Sequence, residues 1–135
     1  MATYNKVAGA IDFLAEGLNA GTDQWGIALT NTVPAGTTFT AGTTDLATGN
    51  GYTQGGNNVT TTSSSESAGT YKLVLASPAV WTATGAGFTF RYAILVNKTN
   101  NINVGYWDYG SSQAVAASET VTVTLDGSNG VYNIV

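Results

Sequence analysis

Hydrophobic residues near the N-terminus recur at the spacing of a helix. Gaps of four, three and four positions separate the apolar residues that would share one helical face: Val7, Ile11, Leu14 and Leu18. Asp12 and Glu16 fall on the opposite side, and Gly21 is a stop signal. The pattern therefore predicts one α-helix over about residues 4–19.

After this segment the pattern changes to the short apolar or alternating runs that are typical of strands. Trp25–Thr30 predicts a short buried strand. A second strand is predicted around the inward-facing set Tyr71, Leu73 and Leu75. Residues 34–67 consist mainly of Thr, Gly, Asn and Ser, so we expect a long loop region there, with one or two short strands near Phe39 and Val59–Thr62. Long loops are commonly functional, and this one is a candidate interaction surface.

The best-defined unit is a hairpin over residues 88–109, in which two alternating runs flank a four-residue turn at 98–101. A constant register across this turn pairs four aromatic residues on one face: Phe90 opposite Tyr109 and Tyr92 opposite Trp107. Paired aromatic residues commonly fill a small sheet, so we predict that this face belongs to the core. The same register places Arg91 opposite Asp108 on the other face.

A second hairpin is predicted at the C-terminus. Thr120–Leu125 alternates between polar and apolar residues, Asp126–Gly130 has the composition of a turn, and Val131–Val135 returns. Short strands that follow one another from about residue 25 to 135, with one helix before them, indicate a mainly β domain over residues 1–135. We expect an antiparallel β-sandwich or barrel with one N-terminal α-helix.

The composition excludes several kinds of chemistry. The 135 residues include no cysteine and no histidine, which excludes disulfides, thiolate or imidazole metal ligands and Ser-His-Asp catalysis. Four cationic against eight acidic side chains give a net charge of −4, the wrong sign for holding a nucleic-acid backbone. The N-terminal segment lacks a long apolar run, so it predicts neither a signal peptide nor a membrane span.

Carboxylates are the remaining acid and base groups. Asp108 lies among aromatic residues in GYWDYGSS, but a glycosidase would need a second carboxylate close by in a cleft. Since Asp108 is expected opposite Arg91, the only arginine of the chain, we interpret the two as a structural ion pair. Asp126 and Asn129 offer too few oxygen ligands for calcium and are interpreted as turn residues. We therefore predict no catalytic residue, no metal site and no cofactor.

Several segments, taken in order, resemble a family of small virion structural proteins of tailed bacteriophages. The similarity spans nearly the whole chain and includes the N-terminal amphipathic segment and the following stretches: QWGIALTNT, GNGYTQGG, TTTSSSESAGTYKLVLASP, FRYAILVN, GYWDYGSS and DGSNGVYNIV. The resemblance implies a non-enzymatic component of the virus particle, made in the host cytoplasm and located in the virion, and it transfers no catalytic residues.

Within this class we expect a capsid decoration, or cement, protein that binds the outer surface of the head. Its partner would be the major capsid protein or another virion protein, and the chain itself would form a small homo-oligomer, with a trimer favoured. The predicted partner contacts are Tyr4, in the N-terminal segment, and Tyr52, alone in a polar loop where it would be an exposed anchor.

Two alternatives stay open at this point. The first is a tail or head-fibre component with a role in host recognition. The second, from another class, is a carbohydrate-binding module with stacking platforms among Trp81, Tyr106 and Tyr109.

Overall fold

The computed structural model describes residues 2–7, 9–10, 17–77 and 79–134, the side chain of Tyr132 excepted. This part of the chain is mainly β, with antiparallel sheets, as the sequence predicts. Its strands are β1 (Thr3–Lys6), β2 (Trp25–Thr30), β3 (Asn57–Val59), β4 (Thr61–Ser67), β5 (Thr70–Leu75), β6 (Ala79–Thr82), β7 (Phe88–Asn97), β8 (Ile102–Val115), β9 (Thr120–Val123) and β10 (Tyr132–Ile134).

The larger sheet has five strands in the order β1-β8-β7-β2-β3. Strand β2 is buried along its whole length because both faces of the sheet are covered at that point. Trp25, Ile27 and Leu29 face the main core, whereas Ala28 packs on the other side in a small cluster with Phe39. The loop that carries Phe39 therefore acts as a cover for the outer face of the sheet.

Two further sheets build the opposing layer: a three-stranded sheet in the order β10-β5-β4 and the pair β6-β9. Strands β3 and β4 are separated by one residue, and β5 leads into β6 across a short break. Strand β9 pairs with β6, and β10 pairs with β5. Both pairings are antiparallel. The core lies between this layer and the five-stranded sheet.

The predicted C-terminal hairpin is therefore wrong. Strands β9 and β10 follow one another along one side of the β5–β6 run instead of pairing with each other. Asp126–Gly130 forms a loop between them, in which the Asp126 carboxylate accepts hydrogen bonds from the backbone N–H groups of Ser128 and Asn129 at 2.8 Å. Turn composition was identified correctly there, but a turn can interrupt a strand without reversing it.

The β7–β8 hairpin forms, but its register is not constant. It begins as predicted at the turn, with Val96 opposite Asn103, and then shifts so that Tyr92 lies opposite Asp108 and Ala93 opposite Trp107. A second shift of register lies between Phe90 and Tyr92. Each β-bulge adds unpaired residues, so the faces predicted from strict alternation are exchanged beyond it.

The predicted N-terminal helix over residues 4–19 is not borne out. Thr3–Lys6 form strand β1, paired with β8, and no helical element occurs among the described residues. Residues 8 and 11–16, which carry most of the helical pattern, lie outside the described part of the chain. Pairing with the edge of β8 competes successfully with helical propensity at the start of this segment. Within the described ranges there is no helix long and apolar enough to cross a membrane.

The short strands expected near Val59–Thr62 are present, but strand structure extends farther into the predicted loop, back to Asn57 and on to Ser67. Thr61–Ser67 form the strand β4, exposed along most of its length, and Asn57–Val59 form β3. Phe39 lies outside any strand, and Thr38 beside it forms an isolated antiparallel bridge with Ile102.

We predict that Gly56→Ala lowers the free energy of unfolding by about 3 kcal/mol or prevents folding. Gly56 has a φ of +67°, and an added Cβ would lie 2.1 Å from the Ile27 carbonyl oxygen. Gly69, at φ +82°, has no atom within 4 Å of an added Cβ, so Gly69→Ala should cost only about 1 kcal/mol. Urea unfolding of both variants measures the difference; equal losses would contradict the close contact with β2.

Candidate functional site

The loop before β3 is anchored by a buried carboxylate. Asp45 is 6% exposed and accepts hydrogen bonds from the backbone N–H groups of Gly42 at 2.7 Å and Gly55 at 2.6 Å. The Tyr52 hydroxyl donates a third bond to Asp45 Oδ2 at 2.6 Å and accepts one from the Leu29 backbone N–H at 3.0 Å. These bonds satisfy a buried negative group that would otherwise destabilise the fold.

Tyr52 is consequently not the exposed anchor that the sequence suggested. Its side chain is 2% exposed and packs in the main core, with its ring 6.2 Å from that of Trp81. Burial and the hydrogen bond to Asp45 raise the pKa of Tyr52 well above its usual value. A partner could not reach this side chain without opening the loop.

Strand β3 is shorter than β2 and leaves the end of β2 without a strand partner on that side. The hydroxyl of the buried Tyr52 binds to the backbone there. Strand β3 pairs only with residues 25–27 of β2. Beyond it, the Leu29 carbonyl accepts from the Leu46 backbone N–H at 2.9 Å, and the Leu29 N–H donates to Tyr52. The loop thus completes the hydrogen bonding of a buried strand, as buried backbone groups require.

The structure brings Arg91 and Asp108 together, although their register differs from the predicted one. Arg91 Nε donates to Asp108 Oδ1 at 2.9 Å and Arg91 Nη2 donates to Oδ2 at 3.1 Å, a two-point contact between partly exposed side chains. The Gly110 backbone N–H also donates to Asp108, at 2.8 Å. The Arg91 guanidinium and this N–H hold the pKa of Asp108 below its usual value.

Each carboxylate in the described part of the chain stabilises a turn, a loop or an ion pair. Besides Asp45 and Asp108, the acceptors of such bonds are Asp23 (from Asn97), Glu66 (from Gly69), Glu119 (from Ala116) and Asp126 (from Ser128 and Asn129). Asp12 and Glu16 lie outside the described residues. No cluster of three metal-ligating side chains is found in the described ranges.

The four aromatic residues predicted for the core separate onto two faces. Phe90 is buried in the main core, with Tyr109 against it at 5.2 Å between ring centroids, and Trp107 packs on the same side. Tyr92 is also buried, but it lies on the opposite face, where its ring contacts Tyr106 at 5.7 Å. The bulge between Phe90 and Tyr92 causes this exchange.

Of the three predicted stacking platforms, Trp81 is excluded because it is only 4% exposed. Tyr106 lies against Tyr92, and Tyr109 lines an open groove.

This groove runs between the five-stranded sheet and strand β9, and we call it the seam groove. Its larger part has a volume of about 620 Å³, with Tyr4, Trp107 and Tyr109 on one wall and Thr122 and Thr124 on the other. Tyr4 and Trp107 are in ring contact at 5.2 Å, and burial raises the pKa of Tyr4 to about 12. Tyr4, a predicted partner contact, therefore lies in an open groove and is partly buried.

The seam groove continues past Tyr109 into a second opening of about 410 Å³ that follows the first half of β9. The two openings together are lined by two carboxylate residues, Glu119 and Asp126, and by no lysine or arginine. The groove is therefore amphipathic and negatively charged at its ends.

Sequence reasoning missed this groove, because the predicted pairing of β9 with β10 would have closed it. The available signal was the length of the DGSNG segment, since a tight hairpin commonly needs only two residues.

Comparison with family models, with curated proteins and with solved structures found no match to this chain. These comparisons therefore give it neither a family nor a function.

We predict that Tyr52→Phe lowers the free energy of unfolding by about 2–3 kcal/mol, because the buried Asp45 loses a donor and the Leu29 N–H loses its acceptor. Tyr71→Phe is the matched control: its hydroxyl contacts Ser64 at an exposed site, so the loss should stay below about 1 kcal/mol. Urea unfolding measures both. A Tyr52→Phe loss no larger than that of the control would contradict the role of the buried network.

Acid should destabilise the protein in part through Asp108 and Asp126, whose pKa values are both lowered in the folded state. For Asp126 the lowering comes first from the backbone and side chain of Asn129. A carboxylate whose pKa is lowered in the folded state stabilises the fold at pH values above its pKa in the unfolded state, about 3.9. This contribution is lost as the pH falls through the pKa of the folded state. Denaturant unfolding between about pH 5 and pH 2.5 should therefore show a smaller loss in the Asp108→Asn, Asp126→Asn double variant than in the wild type. Parallel pH profiles would show that neither group contributes.

Proposed function

We propose that this protein is a non-enzymatic component of a virus particle, a capsid decoration protein that binds the outer surface of the assembled head. Its partner in this role is the major capsid protein or another virion protein, and it acts as a small homo-oligomer, a trimer being favoured. The resemblance of the sequence to small phage virion proteins supports the assignment to a virus particle. The geometry supports a structural role.

The observation that supports a structural role is that the carboxylates in the described part of the chain accept hydrogen bonds from groups of the protein itself. Asp45 is buried under three donors, and Asp108 is held by Arg91 and Gly110. Asp126 and Glu119 accept bonds from backbone N–H groups of their own turns. General acid or base catalysis needs a carboxylate that can exchange a proton with a substrate at a suitable distance. Here the carboxylates stabilise turns, a loop and an ion pair instead.

The surface also suits repeated contact with a large assembly. Only 9% of the residues are charged, and β4 exposes a run of Ser and Thr side chains. Such a surface makes neutral, hydrogen-bonding contacts that are less sensitive to salt than ion pairs. When many copies bind one shell, modest contacts add up through multivalency, and binding of the assembled form stabilises it.

The experiment is to mix labelled protein with purified heads and to measure its copy number and position by mass spectrometry and electron microscopy. A decoration protein should cover the shell in many symmetry-related copies and raise the temperature at which the heads release DNA. A few copies at one vertex or at the tail would favour the fibre alternative. Heads that bind none of the protein would overturn both virion roles.

A further inference from the structure

Among the described residues, strand β9 has one partner strand and one free edge. It pairs with β6, and no other described strand pairs with it. The Ala83 N–H donates to the Glu119 carbonyl, and the Leu125 N–H donates to Ser77 Oγ on the same side, so the odd-numbered residues of β9 direct their backbone groups toward β6. The backbone N–H and C=O groups of Thr120, Thr122 and Thr124 therefore point away from β6.

The seam groove lies along this free edge. Its two openings follow the chain from Glu119 to Asp126, about 23 Å at about 3.3 Å per residue. Tyr4, Trp107 and Tyr109 form an aromatic wall across from the edge. An extended segment placed in the groove could bond to the backbone of β9 and bury alternate side chains against these rings, which is how strand addition gains both affinity and specificity.

The exposed edge of β4 lacks this combination. Nearly every residue of β4 is exposed, and its pairing with β5 shifts register between Thr61 and Ser63. A strand added there would therefore have little apolar surface to cover. Strand β9 and its flanks, residues 119–126, contain neither lysine nor proline, the residues that commonly protect a free edge from pairing.

The charge at the ends of the edge selects the kind of partner. Glu119 lies at one end and Asp126 at the other, and no lysine or arginine lines the groove. Antiparallel pairing of β9 with β9 of a second copy would set Thr120, Thr122 and Thr124 against one another and would bring the Glu119 end of one copy next to the Asp126 end of the other. Like charges disfavour that approach. A segment with a cation at each end would instead be attracted at both, and more strongly at Glu119, because the positive charge of Lys72 already acts on Asp126.

We propose that the free edge of β9 binds an extended peptide segment of a partner protein by β-strand addition, the segment carrying apolar side chains at alternate positions and Lys or Arg at its ends. This inference rests on the proposed function for its choice of partner, a shell protein that offers such a segment. It does not depend on that function for the binding itself.

The probe is the blocked peptide Arg-Val-Thr-Val-Thr-Val-Arg, added to the full chain while amide hydrogen exchange is followed by NMR. The amides of Thr120, Thr122 and Thr124 should become protected by at least about tenfold, because only these N–H groups of β9 face the groove. The same peptide with Glu at both ends should bind at least about tenfold more weakly. No protection at saturating peptide, or protection confined to other strands, would overturn the proposal. Protection of the same amides in free protein, rising with its own concentration, would show self-pairing and would also overturn it.

A substitution tests the backbone contact directly. Thr122→Pro removes a groove-facing N–H without removing a bond to β6, and should weaken peptide binding by at least about tenfold. Thr122→Val keeps the N–H and should bind the peptide at least about tenfold more tightly than Thr122→Pro does. If Thr122→Pro does not fold, a peptide N-methylated at its central residues gives the equivalent test on the wild type. Unchanged binding in either test would exclude strand addition.

The two proposals fail separately. If the peptide binds at β9 but heads bind no protein, the virion role fails and strand addition stands. If heads bind the wild type and Thr122→Pro equally, strand addition to the shell fails and the virion role stands.

Discussion

The burial of one carboxylate organises the half of the molecule that has least regular structure. Asp45 is held by two backbone N–H groups and by the Tyr52 hydroxyl, and that hydroxyl also binds the backbone of β2. A glycine-rich loop with so few apolar residues could not otherwise close over the end of a buried strand. The charge of Asp45 is what fixes the loop, because an unpaired buried carboxylate is costly enough to disfavour every arrangement that lacks the three donors.

The rest of the architecture depends on how the chain connects the two layers. The chain passes from the five-stranded sheet into the second layer at the break between β3 and β4, so continuous backbone joins the two layers along that side. On the other side β1 and β9 belong to different sheets and leave the seam groove between them. The joined side is where the loop of Asp45 and Tyr52 packs; the open side is where backbone groups stay available. The stabilising loop and the binding that we propose at β9 thus lie at opposite margins of one small core.

Much of this fold could be predicted from alternation and composition. The mainly β class, the strand at Trp25–Thr30 and the β7–β8 hairpin follow from local patterns. What could not be predicted depends on local interruptions of the β7–β8 pairing that have no sequence signature. Val104 of β8 has no partner in the ladder, which shifts the register, and the break at Arg91 turns Tyr92 to the other face. The ion-pair partners Arg91 and Asp108 still meet because the long Arg91 side chain tolerates a shift of register that a short one would not. Tyr52 was misplaced because its partner, Asp45, is seven residues away in a segment without periodicity.

The three indole rings occupy three different surroundings. Trp25 is fully buried and donates from Nε1 to the Ala20 carbonyl at 3.0 Å, whereas the buried Trp81 has no acceptor for its Nε1 among the described residues. Trp107 borders the open groove. The protein therefore carries its own optical probes: fluorescence from Trp107 responds to solvent at the groove, while the other two emit from the interior. A quencher added to the solvent would distinguish events at the margin from loosening of the core without any attached dye.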